Sequence, residues 1–116
     1  NGNTMPVKLN KKIICADGFT VSVQANEGAY CTPRQDDAEQ YTQVELGFPS
    51  AREELIMSWI EIVGEDIDPT DSVYPYVPVS VVTNVIAKHG GIVSGEVPAG
   101  VPKLEALDGR FKIPIG

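Results

Sequence analysis

The chain has 116 residues, 42% apolar and 22% charged, with nine prolines and eleven glycines; that describes one folded domain with a modest core rather than a disordered chain. No apolar run approaches the ~18 residues that cross a bilayer, so no membrane partner is expected. The net charge is −7, and eleven acids lie between Asp36 and Asp71 against a single base, Arg52; a surface this acidic repels phosphate backbones and argues against direct nucleic-acid binding.

In chain order, residues 1–7 read as a flexible N-terminus, or as residues added ahead of a start at Met5, without the hydrophobic stretch of a secretory signal. Residues 8–93 read as a single α+β domain, and 94–116 as a Pro/Gly-rich connector with a C-terminal tail or hairpin. Ile13–Ala16, Asp17-Gly18 and Phe19–Ala25 predict a β-hairpin with a two-residue type I′ turn. That turn pairs Ala16 with Phe19 and Ile14 with Val21, leaving Ile13 and Cys15 on the opposite, mixed face. A loop over 26–40 leads to a third strand over Tyr41–Phe48, with Thr42, Val44, Leu46 and Phe48 on one face.

Ser50-Ala51-Arg52-Glu53 matches a capping box, and Leu55, Ile56, Trp59, Ile60 and Val63 recur at helical spacing. The expected element is an amphipathic helix over 50–63. The rival is an extended segment, which Ile60, Ile62 and Val63 also suit. An acidic loop, 65–71, precedes Val73–Val77, an edge strand on account of Pro75. Pro78 suits a first helical turn, Val81, Val82, Val85 and Ile86 make one stripe, and Gly90 ends that helix. Ile92-Val93 reads as a short strand, and Leu104–Ile113 as a second Asp-Gly hairpin placing Glu105 opposite Lys112.

Chemistry-bearing residues are few. His89, the sole histidine, sits at a helix end, where backbone bonding explains it without catalysis; the functional reading is an acid/base or an anion contact beside Gly90-Gly91. Cys31-Thr32-Pro33-Arg34 places a thiol near a guanidinium, which can activate a nucleophile, and Arg34 alone suits a bidentate anion contact. A Cys15–Cys31 bridge would close a loop of about 15 residues, worth about 3 kcal/mol, yet two free thiols in a reducing compartment are favoured. Asp66, Asp68 and Asp71 evoke a calcium loop, but Asp71 and Val77 stand where an EF-hand needs glycine and glutamate. No cofactor is implied. Tyr74 and Tyr76 are expected to point the same way from the edge strand; core packing or hairpin cover is the favoured use, and a stacking surface or a subunit interface the alternative.

Several runs resemble small uncharacterised proteins of tailed bacteriophages: Lys8–Phe19, Tyr30–Arg34, Val44–Ser50, Val73–Pro78 and Ala87–Ile92. The resemblance spans residues 8–93 and implies action in the cytoplasm of an infected bacterium; it transfers no catalytic residue. Together these readings predict a small, mainly antiparallel sheet with an N-terminal hairpin, covered by one or two helices, with an extended C-terminal tail. The expected function is that of a non-enzymatic phage accessory protein. It would inhibit a host or defence protein, or sequester a small anionic ligand such as a signalling nucleotide in a homo-oligomer joined through the tail. Ligand or partner contacts fall to Arg34, Tyr74, Tyr76, Lys88, His89 and Arg110. The alternatives are a hydrolase built on Cys31 or His89, and a minor virion component.

Overall fold

The computed structural model describes residues 9–107. Five antiparallel strands form one sheet: β1 (Ile13–Cys15), β2 (Thr20–Gln24), β3 (Gln43–Gly47), β4 (Val73–Pro78) and β5 (Ile92–Ser94), in the order β4-β3-β2-β1-β5. Among the described residues one α-helix, α1 (Val79–Lys88), follows β4 directly. The expected α+β class therefore holds.

The hairpin forms in a different register. The Cys15 amide donates to the Phe19 carbonyl and the Gly18 amide to the Cys15 carbonyl, so Ala16, Asp17 and Gly18 make a three-residue turn. Of these only Gly18 has positive φ, at 95°, the pattern of a type I turn closed by a glycine bulge; a type I′ turn would need positive φ at Asp17 too. Ile13 consequently pairs with Val21, and one step of register exchanges the faces. Ile13 and Cys15 are buried with Phe19, Val21 and Val23, while Ile14 is 41% exposed. Ile13→Val should therefore cost about 1 kcal/mol in chemical denaturation, and Ile14→Val less than about 0.5.

Val44 and Leu46 of β3 are fully buried, as their alternation requires. Phe48 leaves that row: its φ is 52° and its ring is exposed, while Tyr41, expected on the opposite face, is buried instead.

Residues 50–63 do not form the expected amphipathic helix. Ser50 exchanges bonds with Thr20, its amide donating to the Thr20 carbonyl and its hydroxyl accepting the Thr20 amide, both within 2.9 Å. The cap is Glu53, whose carboxylate accepts the Leu55 amide, and a six-residue 3-10 helix, Glu54–Trp59, follows. The chain is extended again at Ile60, and the Glu61 amide donates to the Val73 carbonyl. Such helices rarely run further, and β-branched Ile60, Ile62 and Val63 favour the extended route.

β4 lies at the sheet edge, as Pro75 predicts. Leu46 pairs with Tyr74 and Val44 with Val77, so Pro75 and Tyr76 together face Glu45 in a bulge. Tyr76 has φ 56° and donates its amide to the Tyr30 carbonyl at 3.0 Å. The bulge separates the two tyrosines: Tyr74 is fully buried, its hydroxyl donating to the Pro69 carbonyl, and Tyr76 is exposed. They do not point the same way.

Pro78 sits one position ahead of α1, at its cap, and Val82, Val85 and Ile86 are the buried stripe. They join Ile56, Tyr74 and Val77 in the core that includes the inward residues of β1–β3. The described part of the tail packs back on the domain. The Glu96 amide donates to the Lys11 carbonyl, the Tyr41 amide to Ala99, and Val101 is buried. Leu104 and Ala106 bracket Ile92, so that Glu105 pairs with Ile92 in parallel. The expected Glu105–Lys112 pairing, like Arg110 and residues 1–7, lies outside the described residues.

Candidate functional site

The sequence-predicted residues fall into separate clusters. Lys88 and His89, at the end of α1, meet Glu53, the last residue of the expected capping box. Glu53 is 1% exposed; its Oε2 accepts from Lys88 Nζ at 2.7 Å and its Oε1 lies 2.6 Å from His89 Nε2. The other ring nitrogen, Nδ1, lies 2.6 Å from Asp17 Oδ2, and the imidazole stacks on Phe19 with centroids 4.0 Å apart. Burial pushes the Glu53 carboxyl up, but Lys88, the Leu55 amide and His89 outweigh it and hold it below its ordinary value. The Phe19 amide, then His89, lower Asp17. This cluster joins the hairpin turn, the 3-10 helix cap and the end of α1, and every buried polar side-chain atom among the described residues has a partner. Each His89 nitrogen faces a carboxylate of the fold rather than an open site.

Arg34 lies elsewhere, its guanidinium 5.1 Å from the centroid of the Tyr30 ring. Tyr30 in turn sits 6.0 Å from Tyr76, and its amide donates to Glu45 Oε1. The three exposed side chains make a cation–aromatic patch over β3 and β4. Arg34 forms no ion pair among the described residues.

Cys15 and Cys31 are free and buried. Burial pushes the Cys31 thiol up despite its bond to the Asn26 carbonyl and the charge of Arg34, and burial, then Asp17, pushes Cys15 up to about 11. A nucleophile needs the opposite shift, and His89 is engaged with Glu53 and Asp17 rather than with Cys31. Alkylation by iodoacetamide at neutral pH should be slow at both thiols and accelerate at least tenfold in denaturant, roughly as thiolate access dictates.

A third feature escaped the sequence reading. Beside the start of β4 an open groove of about 380 Å³ is lined by Phe48, Val63 and Val73 together with Glu61, Asp66 and Asp71. Asp68 also borders it, but its Oδ1 accepts the Thr70 hydroxyl and amide, which hold its carboxyl low. No cation lies within ion-pair distance of these four acids among the described residues. The signal was present as a run of acids without a base over 61–71, but only the fold brings Phe48 to it. No group of histidines, cysteines and acids among the described residues could hold a metal ion.

Fold and groove together define a small α+β domain with an acid-lined cleft beside its edge strand. Comparison with family models, curated proteins and solved structures gives no match.

Proposed function

We propose that the chain is a non-enzymatic binding protein that docks on a positively charged face of a protein partner. The observation that carries this reading is the groove beside β4, whose carboxylates have no cation of their own among the described residues. Acids left unpaired on a surface beside exposed apolar side chains favour an oppositely charged partner and speed its approach. Phe48, Ile62 and Val63 supply that apolar area, the last two more than two-thirds exposed. The resemblance of residues 8–93 to small phage proteins makes a host or defence protein the partner to seek.

The rival small-ligand reading needs Arg34, Lys88, His89 and Arg110 to converge. Lys88 and His89 are instead bonded to Glu53, and Arg34 stacks on Tyr30. A hydrolase built on Cys31 would lack an activated thiol. Native mass spectrometry of the tagged protein from infected cells, lysed at low salt, tests the binding reading. The expected species is a complex with a basic protein that dissociates as salt rises toward about 0.5 M, where charge attraction is screened. An apo species alone would sink the reading.

A further inference from the structure

We infer that the groove beside β4 is the centre of that docking surface and receives an arginine side chain of the partner, a step that rests on the binding reading above. It is an open groove of about 380 Å³, room for a side chain laid along it rather than an enclosed ligand. Its chemistry is divided. Glu61, Asp66 and Asp71 supply carboxylates without a cation of their own among the described residues, and Phe48, Val63 and Val73 supply apolar surface. A long side chain with an apolar stem and a cationic head satisfies both.

Phe48 selects between the two such side chains. It leaves the buried row of Val44 and Leu46 through a left-handed backbone, fixed by its amide donating to the Ser72 carbonyl at 2.9 Å. A non-glycine residue is disfavoured there, and the result is a phenyl ring that lines the groove together with the carboxylates. A planar guanidinium stacks on such a ring while forking to carboxylates, whereas an ammonium holds its water more tightly. The chain's own Lys12 reaches the Phe48 carbonyl at 3.4 Å but pairs with none of the groove acids. The site is therefore not neutralised from within by that lysine.

The test is a titration of the full, isotope-labelled chain with the acetylated and amidated tripeptide Leu-Arg-Leu, followed by NMR. The control replaces arginine with citrulline, which keeps the shape and removes the charge. Shifts are expected at Phe48, Val63, Asp66 and Val73, with the citrulline peptide about tenfold weaker or worse. The Asp66→Asn/Asp71→Asn variant should lose a similar factor while its spectrum elsewhere stays native, because neither side chain bonds to another among the described residues. Equal affinity for the two peptides, shifts centred on Tyr30 and Tyr76, or no shift up to about 10 mM peptide would overturn the inference. A basic partner from cells whose footprint avoids the groove overturns it too and leaves the binding reading standing. If no basic partner exists that reading fails, and the peptide titration still decides the groove.

Discussion

Glu53→Ala is expected to lower unfolding free energy by about 3–5 kcal/mol, the usual loss when one member of a buried charge cluster is removed. The carboxylate is 1% exposed and serves three donors: Lys88 Nζ, His89 Nε2 and the Leu55 amide. Lys88 is half exposed and can return to water; His89, 14% exposed, cannot do so as freely. Glu53→Gln keeps an acceptor for Leu55 and should lose less. The double variant Glu53→Ala/His89→Ala should be more stable than the sum of its singles by about 1–3 kcal/mol, since the two contacts are one network. Acid titration gives the sign. Glu53 is held below its ordinary value of 4.5 in the fold, so its contribution is fully present above about pH 5.5 and is lost as pH falls through the folded value. Wild type should therefore steepen its stability loss below pH 4.5 relative to Glu53→Gln; parallel curves would show that the carboxylate is not what the cluster depends on.

The second large effect is expected at Gly95. Its φ is 110°, and an added Cβ would press on the Ile13 Cα and the Lys12 carbonyl, both backbone atoms of the neighbouring segment. Backbone cannot swing aside as a side-chain end can. Gly95→Ala should cost about 3 kcal/mol or more, combining the disfavoured conformation with overpacking. Hydrogen exchange should show the loss first at Ile92, Glu96 and Ala106, whose amides join β5 and the tail to the sheet. By contrast Gly18→Ala meets no atom within 4 Å, so only the conformational part, about 1–2 kcal/mol, should remain. Equal losses at the two glycines would refute the close approach.

The sheet was legible wherever alternation and punctuation agreed. Val44 and Leu46 announced β3, Pro75 placed β4 at an edge, and the valine stripe with Gly90 fixed α1. The failures share a cause: a local pattern had two solutions and a distant contact chose. Asp17-Gly18 fits a two-residue or a three-residue turn, and Asp17 is held by His89, 72 residues away. Ser50-Ala51-Arg52-Glu53 fits a capping box, but Thr20 takes Ser50 while Lys88 and His89 take Glu53. Tyr74 and Tyr76 differ by two residues and would share a face in a regular strand; a bulge is invisible to periodicity. Of the residues named as contacts, Lys88 and His89 share Glu53, and Arg34 lies over Tyr30, which neighbours Tyr76. The groove required Phe48 to leave its strand, which no pattern encodes.

The bonds along β4 have a further consequence for how this molecule can meet another chain. Val73 gives its carbonyl to Glu61, Pro75 has no amide, and Tyr76 donates to Tyr30. At the opposite edge Leu104 and Ala106 occupy the Ile92 backbone. An extended peptide seeking to lengthen the sheet therefore finds little open ladder on either side, and edge-to-edge aggregation is discouraged by the same means. A partner must read side chains rather than backbone, so its specificity would reside in a few residues and be open to change by single substitutions.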